Sequence, residues 1–275
     1  MNYGDDFTLT LFTNNPLLAE RADRAGVDRI GLDLERIGKN ERQGKLATWI
    51  SDHQEAELAA VRARLTHAKL FVRTNPIHPG SESEIQRLIE AGAEVLMLPM
   101  FTTVEEVSSF VNCIAGRARS VLLLETAGAA RAVQAIVRHG GFDEIHIGLN
   151  DLHLSLGLNS HFALLVSELM ESLCGTLHAA GIRYGFGGIG RAGDNDLPIP
   201  ADLIYAQYPR LNASGALISR AFYEPDALGI DWSLEILRAR ASLNMMIALP
   251  PDVIEEKRVL LAEKAGFLKR DKKKK

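Results

Sequence analysis

Ser120-Val121-Leu122-Leu123-Leu124-Glu125-Thr126, then Gly128 to His139, then Glu144-Ile145-His146-Ile147-Gly148-Leu149-Asn150-Asp151 reads as a strand, a helix and a second strand. Both strands are apolar runs that end on an acid, Glu125 in the first and Asp151 in the second. A helix between two strands makes them parallel and usually close neighbours, so their C-terminal ends share one edge of a sheet. Two carboxylates at that edge are placed to hold a hard divalent cation, which prefers oxygen ligands. The plainer alternative has one acid capping the next helix and the other solvated.

The same alternation extends in both directions. Phe7 to Phe12, Asp28 to Leu34, Leu70 to Arg73 and Val95 to Leu98 read as strands one to four. Tyr184 to Gly190 reads as a glycine-rich strand seven or its exit loop, and Gly215 to Ser219 as strand eight. Helices are expected at Glu55 to Leu65, Ser81 to Ala91, Thr103 to Ala115, Leu164 to Ala180 and Ala201 to Leu211. Eight strands alternating with helices imply a parallel sheet, and over this length an α/β fold closed as a (β/α)8 TIM barrel with extra C-terminal helices. An open doubly wound sheet lacks support, because no GxGxxG follows the first strand. Residues 1–250 are assigned to the barrel, and 251–275 to a C-terminal helix with a disordered basic tail at Lys272 to Lys275. The terminal helices, about Trp232 to Ile247 and Pro251 to Ala265, carry more apolar surface than one barrel helix needs. They are expected either to meet a partner subunit in a homo-oligomer or to close the barrel itself.

A net charge of −4 does not suggest nucleic acid as a partner. No apolar stretch reaches the roughly 20 residues of a membrane helix, and the start lacks a signal-peptide pattern. Cys113 and Cys174 have no CxxC spacing and read as reduced core residues, so a cytoplasmic location is expected.

In a barrel the strand ends share one pocket. Those ends carry Asp33 and Glu35, Arg73 and Asn75, Pro99-Met100, Glu125, Asn150-Asp151, Arg191 and Ser219-Arg220. An arginine fork binds a carboxylate with two parallel hydrogen bonds. With a cation it could hold a 2-oxo acid and stabilise an enolate. Arg73 could instead form a structural ion pair with Asp33 or Glu35. His53, His78 and His153 are candidate acid/base groups, each weighed against a capping or exposed role, with a metal-bound water able to replace them. His146 lies inside strand six and reads as a hydrogen-bonded core residue.

Five segments carry a resemblance: Leu32-Asp33-Leu34-Glu35, Val72-Arg73-Thr74-Asn75, Met97-Leu98-Pro99-Met100, Leu123-Leu124-Glu125-Thr126-Ala127, and Ile147 to Leu152 with Ser155-Leu156-Gly157. From about Phe12 to Phe222 the chain resembles the HpcH/HpaI aldolase and citrate lyase beta-subunit family. The resemblance implies a metal-dependent barrel that makes or breaks carbon–carbon bonds through an enolate. It implies Glu125 and Asp151 as ligands of Mg2+ or Mn2+, and Arg73 as the group that binds substrate and steadies the enolate. Gly148, Asn150 and Asp151 would hold the substrate carboxylate. The aldolase branch carries a histidine shortly after strand two; here Asp33 to Lys39 has none, and His53 further along the loop takes its place as the candidate. The expected partners are a 2-oxo acid such as pyruvate and an aldehyde. An acyl-CoA thioester is the alternative, with Arg36, Lys39 and Arg42 available to its phosphates, and a non-catalytic metabolite-binding barrel is the third reading.

Overall fold

The computed structural model describes residues 2–38, 51–194, 197–224 and 226–271. Lys39, Arg42 and the tail at Lys272 to Lys275 lie outside the described residues. The strands are β1 (Thr8–Phe12), β2 (Arg29–Asp33), β3 (Lys69–Arg73), β4 (Val95–Leu98), β5 (Arg119–Leu124), β6 (Glu144–Ile147), β7 (Arg183–Phe186), β8 (Gly188–Ile189) and β9 (Gly215–Ile218). All pairs are parallel, in the order β7-β6-β5-β4-β3-β2-β1-β9-β8.

β7 and β8 are two halves of one strand, interrupted at Gly187, whose φ of +55° suits a residue without a Cβ. The first half pairs with β6 and the second with β9. Ser214 N donates to Tyr184 O at 2.7 Å and Leu217 N to Gly187 O at 3.2 Å. The seventh strand thereby closes the ring, and the architecture is the (β/α)8 barrel that the alternation predicts.

Successive side chains on a strand point to opposite faces. Leu70, Val72, Leu96, Leu98, Leu122 and Leu124 join the large core between strands and helices. Phe71, Val95, Met97, Val121 and Leu123 form a second cluster inside the barrel. This period of two carries Phe71 on to Arg73, and Leu123 on to Glu125, at the C-terminal mouth. At the opposite end Glu144 accepts two hydrogen bonds from Arg29, at 2.6 and 2.8 Å, and pairs with Arg119 at 2.9 Å.

The helix Trp232–Ile247 lies under that end with the short helix Tyr3–Asp6. Its Arg240 donates to the carbonyls of Gly4, Phe7 and Gly26 and pairs with Asp28. Trp232, Ile236, Leu243 and Met246 are buried, whereas Leu234, Leu237, Met245 and Ile247 stay exposed. This helix therefore closes the barrel that contains it. The last helix runs Pro251–Asp271, longer than the expected end at Ala265.

Two expected long helices are each broken. His161–Leu165 and Glu168–Ala179 replace Leu164 to Ala180, because the Ser167 side chain accepts from Met170 N and starts a new helix. Ala201–Tyr205 and Gln207–Arg210 replace Ala201 to Leu211.

Candidate active site

Arg73, Glu125, Gly148, Asn150 and Asp151 line one cavity of about 630 Å3 at the barrel mouth. Glu125 is 2% exposed, and its Oε1 accepts from Met100 N at 3.0 Å. Met100 has φ +57°, a conformation that non-glycine residues rarely adopt and that clusters at functional sites. Thr126 caps the helix Ala127–His139, and its hydroxyl also donates to Phe101 O at 2.7 Å. Ser155 Oγ accepts from Ala127 N at 2.9 Å, tying the turn after Glu125 to the helix Leu149–Ser155.

Asp151 stands off the strand on which the sequence places it. β6 stops at Ile147, and Asp151 lies in the first turn of the helix Leu149–Ser155, half-buried at the cavity. Gly148 makes the junction. A Cβ there would lie 2.8 Å from Glu125 Cβ and 3.1 Å from Glu125 Oε2, so only glycine leaves that carboxylate its space. Asn150 is exposed at the rim.

Arg73 donates through Nε and Nη2 to the two oxygens of Asp33, at 2.8 and 2.7 Å, with Glu35 3.4 Å away. Its guanidinium sits 5.5 Å from the Phe12 ring centroid. The structural ion pair is thus present, and Arg73 also faces the cavity. Burial opposes its charge, but Asp33, Glu35 and Glu125 outweigh that and hold its pKa above the ordinary value. For Glu125, burial, then the charges of Asp151 and Glu35, outweigh Arg73 and push the carboxyl up to about 8. Left to itself that carboxyl therefore keeps its proton near neutral pH, and a cation beside it would favour the ionised form.

His53 is not among the residues that line the cavity. Its Nδ1 accepts from Asp33 N at 3.0 Å, behind the strand end. Burial draws its pKa below the ordinary value, against the pull of Asp33, Glu57 and Asp52. His78 is held by Glu84 at 2.8 Å and by Gly80 N at 3.1 Å, and His153 Nδ1 lies 3.1 Å from Leu149 O, so both brace backbone. Arg36 turns back to the carbonyls of Ser51 and His53, while Asn75 accepts from Arg36 N and Ile37 N. His146 does line the cavity; its Nε2 lies 3.2 Å from Gly187 O. The sequence reading missed His161, Phe162, Tyr205 and Tyr208, which the chain brings to the cavity from helices beyond the strand ends. No strand-end signal marks them.

Among the described residues no three His, Cys, Asp or Glu side chains gather as a metal cluster. Two carboxylates on one cavity, Glu125 and Asp151, fit Mg2+ or Mn2+, which keep waters and substrate in their shell, better than a closed structural zinc site. The site fits a hard divalent ion on that ground and on the charge gathered around Glu125.

The family model for HpcH/HpaI aldolase/citrate lyase matches residues 7–185. No curated protein matches the chain significantly by sequence. Among solved structures, an HpcH/HpaI aldolase/citrate lyase family protein from Burkholderia cenocepacia superposes with a TM-score of 0.60 at 18% identity, covering 88% of this chain and 95% of that one. The HpcH/HpaI aldolase from Desulfitobacterium hafniense gives 0.57 at 17%, covering 90% and 95%. RipC from Yersinia pestis gives 0.58 at 16%, covering 91% and 99%. At these identities the likeness to each structure is one of fold.

Proposed function

Because the chain belongs to the HpcH/HpaI aldolase/citrate lyase family, we propose that it is a divalent-metal-dependent carbon–carbon lyase acting on a 2-oxo acid through the pyruvate enolate. The observation that carries this reading is the convergence of Arg73, Glu125 and Asp151 on one cavity around Gly148. Glu125 and Asp151 would hold Mg2+ or Mn2+. A cation bound there supplies Lewis-acid stabilisation of charge on the keto oxygen.

The chain's own groups have distinct tasks. Asp33 and Glu35 fix the Arg73 guanidinium, which places a permanent positive charge beside the developing enolate. The turn from Gly148 to Asp151 receives the substrate carboxylate. Cleavage of a 4-hydroxy-2-oxo acid breaks the C3–C4 bond. The 4-hydroxyl gives up its proton as the aldehyde leaves, the bond's electrons stay with C3, and C3 then takes a proton to give pyruvate. His53 stands outside the cavity with its Nδ1 accepting from Asp33 N, so it holds the end of β2 rather than carrying these protons.

The test is exchange of pyruvate methyl protons in heavy water, followed by NMR, which needs no knowledge of the aldehyde. We expect exchange with Mg2+ or Mn2+, none with chelator, and at least a 100-fold loss in Glu125→Gln, whose amide cannot supply the anionic ligand. Metal-bound protein without exchange would transfer the proposal to acyl-CoA thioesters, tested by thioester loss. Failure to bind metal would favour a non-catalytic metabolite-binding barrel.

A further inference from the structure

The cavity holds far more than a three-carbon acid. Its volume of about 630 Å3 lies within the range of sites that enclose much larger ligands. The acids, Arg73 and Asn150 come from β3, from the end of β5 and from the exit of β6, with His146, His161, Ser219 and Arg220 the other charged or polar side chains away from the tyrosines. The remaining wall comes from the seventh strand, the end of β9 and the helices His161–Leu165, Ala201–Tyr205 and Gln207–Arg210, and apolar side chains make up most of it.

Phe162, Leu197 and Ile204 line this side and are only partly buried, so apolar surface remains accessible within the cavity. Tyr205 turns its hydroxyl to Gly190 O at 2.8 Å. Tyr208 stacks on Phe186 at 4.7 Å between ring centroids. Its hydroxyl is buried with no hydrogen-bond partner among the described residues. Apart from His161, Ser219 and Arg220, the side chains of that wall offer little to a polyol or a phosphate, whose polar groups would lose water there. An apolar group entering it gains by leaving water.

We propose that this wall receives an aliphatic or aryl chain carried by the substrate, whose 2-oxo acid head sits at Arg73 and Glu125. The substrate class is then a 2-oxo acid, or its 4-hydroxy derivative, with a hydrophobic tail. The lyase reading above supplies the head group; the tail rests on the apolar wall alone.

Calorimetric titration of straight-chain 2-oxo acids from pyruvate to 2-oxodecanoate, with Mn2+ present, tests it without turnover. The expected result is a dissociation constant that falls about fourfold per added methylene until the wall is covered. Ile204→Trp, or Leu197→Trp if the first does not fold, fills the space and flattens the series. A flat series in the natural protein overturns the proposal, and so does a steep series that a folded Trp variant leaves unchanged. Pyruvate exchange on the same samples separates the two readings. A steep series without exchange keeps the tail site and removes the lyase; a flat series with exchange does the reverse.

Discussion

At the scale of single residues, two inward-facing groups on neighbouring strands are tuned by burial in opposite senses of charge. Glu125 is pushed up to about 8, and His146 is pushed down to about 4 from 6.5, first by burial and then by Arg29 and Arg73 against the Gly187 carbonyl and Glu144. His146 is therefore neutral in the folded barrel across the range where the unfolded chain takes up a proton. Its contribution to stability is complete above pH 6.5 and is lost as pH falls toward 4, amounting to about 3 kcal/mol. Denaturant unfolding of the natural protein and His146→Gln from pH 7 to pH 4 checks this. The stability difference between them should shrink or reverse by that amount, and a difference that does not move with pH would contradict it. Glu125, Arg73 and Gly148 were legible in the sequence because each ends, or directly follows, an apolar run. His53 was placed by analogy of position alone, and its Nδ1 contact with Asp33 N was not readable, since it depends on how the long loop folds back.

At the scale of elements, caps and junctions decide what apolar periodicity leaves open. The helix Pro16–Arg24 starts on Asn15, whose side chain accepts from Leu17 N and Leu18 N, with Pro16 at the first position. Near its end Asp23 is 2% exposed and accepts from Thr66 N, His67 N and Ala68 N, at 3.0, 3.0 and 2.6 Å. Burial alone would raise its pKa, but these three donors hold it below the ordinary carboxylate value. One side chain thus fixes the entrance of β3 to the helix before β2. Asp23→Ala should cost about 3 kcal/mol, because it strands buried donors as well as removing charge-assisted bonds, and thermal unfolding measures it. The same logic accounts for what the sequence concealed. An apolar spacing runs through Leu164 to Ala180 without interruption, yet Ser167 caps a fresh helix there. Likewise the apolar run into Asp151 looks like one strand, although the chain turns helical at Leu149.

At the scale of the whole molecule, strand–helix alternation sufficed to read the barrel, because parallel strands covered on both faces are nearly continuous in apolar residues. The cavity's apolar wall was not readable, since it assembles from Phe162, Leu197, Ile204 and Tyr208, which no single period connects. The helix Trp232–Ile247 divides its apolar residues between barrel and solvent, with Leu237 65% and Met245 54% exposed. We propose that this outer face, with Val259 and Leu260 of the last helix, mediates self-association. Sedimentation equilibrium should then give a mass above that of one chain, and Leu237→Lys with Met245→Lys should return it to the monomer. The interrupted seventh strand has a mechanical meaning as well. The ring of strands is a belt, and Gly187 is its buckle: each half of the strand pairs with a different neighbour, and the hydrogen bonds from Ser214 N to Tyr184 O and from Leu217 N to Gly187 O fasten the overlap. The buckle lies against the cavity, so the residue that closes the ring also shapes the space the ring encloses.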